Sequence, residues 1–219
     1  QTTTQTTTTT KPVEEAAKPV ETPVEEVVVD TKIVEEVASE EVKEAVKETV
    51  TVAETKEVEK ETGTVTEVKV AVTTETVDKV IENTEAGATV ILPLTEVAEE
   101  GQAVTEAEVA VEALEKIVEA EAALTVEFEG VKVTFESETI KAIAEQAQGS
   151  TIELRVVPVE HHELNDEQKA VLEAHDVAVR VSAQIFSDGE YIGDFKGGKA
   201  TIAIPFTPRL REHDNDDTK

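Results

Sequence analysis

Apolar residues in the second half of the chain recur with period two in some stretches and with helical spacing in others, and the two patterns alternate. In TEVKVAV single residues separate Val68, Val70 and Val72, the period of a half-buried strand. The stretch LTVEFEGVKVTFE alternates on both sides of Glu129-Gly130 and predicts a hairpin, with Leu124, Val126 and Phe128 on one arm and Val131, Val133 and Phe135 on the other. TIELRVVPV, VAVRVSAQIF and ATIAIPF predict three more strands by the same test. Between them ETVDKVIENTEAG, TEAEVAVEALEKIVEA, SETIKAIAEQAQG and NDEQKAVLEAH carry helical patterns. Gly87 and Gly149 stand where the first and third of these helices want a C-terminal cap. Ser137 and the run Asn165-Asp166-Glu167 look like helix openings. The pattern predicts an α+β fold of repeated helix-strand units with a mainly antiparallel, sandwich-like sheet.

An internal repeat runs through these elements. VKVAVTTETVDKVIENTEAGATVIL, from Val68, resembles VKVTFESETIKAIAEQAQGSTIEL, from Val131. Each reads strand, Thr/Ser-Glu-Thr, short amphipathic helix, glycine, strand. A looser copy from Glu112, EALEKIVEAEAALTVEF, keeps the helix and the strand after it.

The first half has a different pattern. Residues 1–32 open on a tract of Thr and Gln alone, followed by KPVE, KPVE and TPVE. Pro12, Pro19 and Pro23 exclude a helix interior and favour extended geometry, so this part reads as a low-complexity stalk. In residues 33–63 Val34, Val37, Val42, Val46 and Val50 recur at spacings of three to five, with charged residues on the other faces. Because valine is a mediocre helix former, a charged, partly helical linker is expected there. The folded module is expected to span 64–208 and a polar tail 209–219.

Composition narrows the function classes. The chain has 219 residues, with 49 acidic against 20 basic and a formal charge of -29. Phosphate backbones and anionic membrane surfaces would be repelled, which argues against nucleic acid or membrane insertion as partners. No apolar run approaches the roughly 18 residues of a membrane span. Cysteine is absent, so disulfides, thiol catalysis and Cys-ligated metals are excluded. Methionine is absent too, which reads as a processed chain or a fragment, and a start of QTTTQ fits what signal cleavage leaves.

Candidate chemistry is sparse. Gly193, four intervening residues and Gly198-Lys199 imitate a phosphate-binding loop, but Ala200 stands where Ser or Thr must reach the magnesium. A strand, ATIAIPF, follows where a helix N-terminus should receive the phosphate. Gly197 and Gly198 read instead as a tight connection that lets residues 191–194 and 200–206 run side by side. His161, His162 and His175 are loop histidines without helical metal-ligand spacing, and His213 lies in the tail. Asp188-Gly189-Glu190 with Asp194, and Asp214 with Asp216 and Asp217, leave calcium open as a ligand but do not match an EF-hand. Asp188-Gly189 is better explained as a hairpin turn. No catalytic residue and no cofactor is expected. Five Phe and one Tyr are too few for a sugar-stacking or oligonucleotide-binding surface.

The segments GATVILPLTE, TVEFEGVKVTFESETIKAIAEQAQG, ELNDEQKAVLEAHDVAVRVSAQI and above all DGEYIGDFKGGKATIAIPFTP resemble a module of clostridial-type Gram-positive cell-surface proteins, those that carry S-layer homology domains. The resemblance covers about residues 67–208. It is carried by Ile192, Asp194, Phe195, Gly197, Gly198, Thr201, Ile202, Ile204, Pro205, Phe206 and Thr207. It implies a secreted, wall-associated, non-catalytic module, with Asp194, Phe195, Gly197, Gly198, Pro205 and Phe206 as its structural motif. In those proteins further strands and the anchoring domains follow. Here RLREHDNDDTK follows, so anchoring through such domains is not expected from these residues. The expected function is a structural or interaction protein of the cell envelope, whose partners are other surface proteins or itself through strand donation. An extracellular binding module for a glycan, calcium or a protein is the alternative.

Overall fold

The computed structural model describes residues 37–60, 63–158 and 181–204. Its elements in chain order are α1 (Glu40–Thr49), β1 (Thr51–Lys60), β2 (Gly63–Val72), α2 (Thr74–Glu82), β3 (Val90–Pro93), a 3-10 turn at Leu94–Val97, β4 (Gln102–Ala110), α3 (Val111–Glu119), β5 (Leu124–Phe128), β6 (Val131–Phe135), α4 (Ser137–Gln146), β7 (Thr151–Pro158), β8 (Val181–Ser187), β9 (Glu190–Tyr191) and β10 (Ala200–Ala203). Strands β1-β2-β4-β7-β8-β9 form a six-stranded sheet and β10-β6-β5-β3 a four-stranded one. Pairing is antiparallel except between β2 and β4 and between β3 and β5. The fold is α+β with two mostly antiparallel sheets, as the alternating pattern predicts.

The connections follow one rule. β2-α2-β3 and β4-α3-β5 each pass from the larger sheet to the smaller, and β6-α4-β7 passes back. Helices α2, α3 and α4 therefore each join the two sheets, and α1, α2, α3 and α4 pack on one another in sequence order. The two units of like direction bring β2 beside β4 and β3 beside β5 in parallel, and the reversed unit accounts for the antiparallel neighbours β6 and β7. The sequence repeat from Val68 and Val131 corresponds to the first and third of these units, so one pattern is used in both directions. The copy beginning at Glu112 is complete, because β4 supplies its leading strand.

One continuous core fills the space between the sheets and the helix row. Period-two positions Val68, Val70 and Val72, Val131, Val133 and Phe135, and Ile152 and Leu154 are all buried. Helices contribute Val46, Val77, Val80, Ile117 and Ile140, none more than 1 % exposed.

Four expectations need correction. Residues 33–63 do not form a linker where they are described: α1 buries Val42, Ala45 and Val46, and β1 pairs with β2. Valine's weak helix propensity is outweighed there by a Ser39 N-cap, whose hydroxyl accepts from the Val42 N–H, and by burial of one face. The stretch TEAEVAVEALEKIVEA is not one helix; its first part belongs to β4, where Val104, Ala107 and Val109 face the core and the helix starts only at Val111. Gly87 and Gly149 lie beyond the helix ends. The Asn83 amide donates to the Lys79 carbonyl and the Gln146 amide to the Ala142 carbonyl, so polar side chains satisfy the last turns. Ser137 is the first residue of α4 rather than its cap, which is Glu136. The helix at 165–173 and the stalk at 1–32 lie outside the described residues.

The outer face of the larger sheet carries a charge array. Lys69 on β2 meets Glu106 at 2.9 Å and Glu108 at 3.3 Å on β4, and Glu153 at 2.7 Å on β7. Arg155 pairs with Glu106 and Glu153 and lies 4.9 Å from the Phe186 ring centre. Burial alone would depress the Lys69 pKa, but hydrogen bonds to Glu153 and Glu106 overcome it and hold the ammonium above its ordinary value. The Lys69 hydrogen bond in turn lowers the Glu153 carboxyl below the usual range, against partial burial. Register places Glu108 directly opposite Glu153, a repulsive pair that Lys69 bridges.

Replacing Lys69 with Met is expected to cost about 1–3 kcal/mol at neutral pH, between the exposed and the buried limits for an ion pair. A lowered folded pKa at Glu153 means stability that is present above the unfolded value of about 4.3 and lost as pH falls through the folded value. The raised Lys69 contribution is lost only as pH climbs above about 10.4. Urea melts of K69M and wild type should therefore differ most between those limits and converge in acid.

Candidate functional site

The motif residues from Ile192 to Lys199 form an extended strap that crosses α4 from its last turn to its first. Ile192 is 5 % exposed and its N–H donates to the Ile185 carbonyl, which fixes the start of the strap to β8. Asp188 and Gly189, at φ 49° and 79°, make the turn between β8 and β9, as Asp-Gly predicts. A Cβ on Gly193 would stand 2.5 Å from Cε1 of the Tyr191 ring, which is 47 % exposed and would have to swing aside.

From there the strap makes successive contacts along the helix. The Gln146 amide donates to the Asp194 carbonyl at 2.7 Å. Oδ1 of Asp194 accepts from the Lys196 N–H at 2.9 Å, and the Gly198 N–H donates to the Phe195 carbonyl at 2.9 Å. Lys196 and Gly197 between them have φ 51° and 93°, a turn that only a glycine at 197 accepts without strain. Phe195 packs partly buried against the core. Lys196 pairs with Glu145 at 2.9 Å, about half exposed on both sides, so this contact orients the strap more than it stabilises it.

The strap ends in its tightest contact. The Lys199 carbonyl accepts the Thr139 hydroxyl at 2.7 Å and the Glu136 N–H at 3.1 Å. A Cβ on Gly198 would overlap the Thr139 hydroxyl and stand 2.8 Å from its backbone nitrogen and 2.9 Å from its Cα. Gly198 is therefore required for close approach of two backbones rather than for a left-handed turn. Thr139 itself is fully buried. Its repeat counterpart Thr76 is also fully buried, but bonds within a capping box with Thr73. The repeated Thr/Ser-Glu-Thr thus marks a buried threonine with two uses: closing its own helix in α2, and holding the strap in α4. That signal was legible; Glu145 and Gln146 as partners were not, because nothing in an amphipathic helix announces which polar residues meet a distant loop.

This geometry corrects the side-by-side arrangement expected for residues 191–194 and 200–206. β9 belongs to the six-stranded sheet beside β8, whereas β10 pairs with β6 in the four-stranded sheet. The glycines let the chain pass from one sheet to the other close over α4. Pro205 and Phe206 lie outside the described residues, as do His161, His162, His175 and His213.

What the strap can do chemically is limited by how its groups are used. The N–H groups of Lys196 and Gly198 bond within the strap, and a strand, β10, follows it where a phosphate-binding loop needs a helix N-terminus. Beside it lies a polar notch of about 200 Å³ lined by Gln146, Gln148, Ser187, Glu190, Tyr191 and Ile192. That is smaller than a usual ligand site of roughly 300–1,000 Å³. Gln148 bonds to Glu190 across it, and the Ser187 hydroxyl accepts the Gln148 N–H. A second void, about 10 Å³ among core hydrocarbon, is at the lower limit for one water molecule. Among the described residues no group of three or more His, Asp or Glu is placed to hold a metal ion, and no helix is long and apolar enough to cross a membrane. No protein-family model, no curated protein and no solved structure matches this chain.

Proposed function

We propose that the chain is a non-catalytic structural or interaction module of a cell envelope, exported and displayed at the cell surface. One observation carries the reading: the motif with the most distinctive sequence has its polar groups engaged in holding the fold. Asp194, Gly197, Gly198 and Lys199 tie β10 to α4 and present no convergent set of reactive groups. The Thr/Pro/Glu composition of residues 1–32 supports a spacer between an anchor and the module. The resemblance of the 191–207 stretch to S-layer-homology-domain-bearing surface proteins supports the location. Partners would be other envelope proteins or further copies, with neither nucleic acid nor a membrane interior as a target. The charge of -29 keeps such a module soluble and makes its contacts stronger as salt screens repulsion.

Protease shaving tests this reading. When intact cells that express the protein are treated with an added protease, the Thr/Pro/Glu tract should be cut and a resistant fragment containing residues 37–204 should appear in the medium. Retention of uncut protein until the cells are lysed would place it inside and overturn the proposal.

A further inference from the structure

One wall of the polar notch beside the strap is an exposed aromatic ring that is held in place. Tyr191 is 47 % exposed, yet its ring meets Phe186 edge-on, with centres 5.7 Å apart and planes at 63°. Its Cε1 edge lies where a side chain on residue 193 would begin, so Gly193 gives the ring its seat against the strap. A surface ring fixed from two sides is preorganised, and a ligand that stacks on it does not have to order it first.

The polar groups around the notch are mostly acceptors. The Gln146 amide donates to the Ala142 and Asp194 carbonyls, and the Gln148 amide donates to Oε2 of Glu190. Carbonyls and carboxylates only accept, so both carboxamides turn N–H groups to these partners and keep their oxygens for other use. Among the described residues those two oxygens and Oε1 of Glu190 have no hydrogen-bond partner. Ile192, 5 % exposed, adds an apolar patch to the lining.

We propose that this notch binds one neutral pyranose unit of a glycan, its C–H face on the Tyr191 ring and its hydroxyl hydrogens on the oxygens of Gln146, Gln148 and Glu190. An acceptor-rich lining needs a ligand rich in donors, which excludes phosphate and carboxylate groups; Glu190 and a chain charge of -29 repel them as well. A volume of about 200 Å³ is the share of roughly six or seven waters, which suits one sugar ring and is far more than an ammonium group fills. A fixed aromatic ring beside several acceptors matches a molecule with one apolar face and a rim of hydroxyls. One tyrosine is too little for an extended sugar platform and enough for a single unit. The site adds a ligand to the proposed structural role and does not depend on it.

The chain has one Tyr and no Trp, so its intrinsic fluorescence reports on Tyr191 alone. Titration of the full chain with methyl glucoside, methyl galactoside and N-acetylglucosamine should give a saturable change with at least one of them. The expected Kd is about 1–10 mM, the range for a ligand of about a dozen heavy atoms at ordinary efficiency per atom. Gln148→Ala and Glu190→Ala should each raise it at least about fivefold by removing an acceptor. Gly193→Ala, which displaces the ring and removes no acceptor, should do the same, whereas Glu44→Ala on α1 should leave it unchanged. Far-UV circular dichroism checks that each variant is folded. Glucuronic acid and butylammonium serve as the charged counterparts. The proposal is overturned by the absence of a saturable change up to about 50 mM sugar, by a Kd that Q148A and E190A leave unchanged, or by tighter binding of either charged probe than of any neutral sugar.

Discussion

Gly198→Ala should lower the unfolding free energy by about 3–5 kcal/mol, the largest effect expected from any glycine in the molecule. The added Cβ meets the backbone nitrogen and Cα of Thr139 at 2.8 and 2.9 Å, and a helix backbone cannot turn aside as a side chain can. Forcing the strap outward also breaks the hydrogen bond from the buried Thr139 hydroxyl to the Lys199 carbonyl. Two comparisons separate these causes. Thr139→Val keeps the volume and loses the bond, and should cost about 1–3 kcal/mol. Gly197→Ala meets no atom within 4 Å, and its φ of +93° costs only the strain of a left-handed residue, about 1–2 kcal/mol. Chemical denaturation of the three variants checks the order. A G198A protein as stable as G197A would mean that the strap is not held against α4 as described.

Val46→Asp should unfold the module outright. Val46 is 0 % exposed on α1, and a carboxylate there has no partner, a cost of at least about 4 kcal/mol against a total of roughly 5–15. Val46→Ala removes only methyl groups and should cost about 2 kcal/mol. Glu44→Ala, on the exposed side of the same helix, should change stability by less than about 0.5 kcal/mol. Circular dichroism melts distinguish α1 as part of the core from a charged linker, in which all three changes would be silent.

The pattern of α1 explains why the sequence misleads at this point. Its valines have the right spacing, but low propensity and many charges make an isolated helix look marginal, and packing against α2, β3 and the 3-10 turn decides otherwise. The strands were legible because apolar alternation is strict in Leu124–Phe128 and Val131–Phe135; β6 buries one face only, while β5 also covers Thr125 on the other. Ala107 and Val109 read as helical because small Ala and flanking Glu fit either period, and the β-bulge that shifts register between β2 and β4 hides their alternation with Val104. Which sheet each strand joins was not legible at all. The repeat has the same residues whether it runs from the larger sheet to the smaller or back. The same ambiguity makes residues 191–194 and 200–206 read as side by side, whereas β9 and β10 belong to different sheets. Within the motif, the sequence pointed to the right glycines for a reason that held at Gly197 and differed at Gly198.

A unit that adds one helix to the row and one strand to each sheet makes the fold an array, with the logic of a solenoid in which every repeat depends on its neighbours. Such arrays need ends that do not invite the next repeat. At one end the outward side of α1 is polar, with Glu40, Glu41, Glu44 and Glu48 exposed. At the other, among the described residues, the strap covers the flank of α4, with Ile192 buried and Phe195 packed on the core. The glycine motif is in this sense a capping repeat reduced to eight residues, Ile192 to Lys199, and among the described residues no helix packs beyond α4.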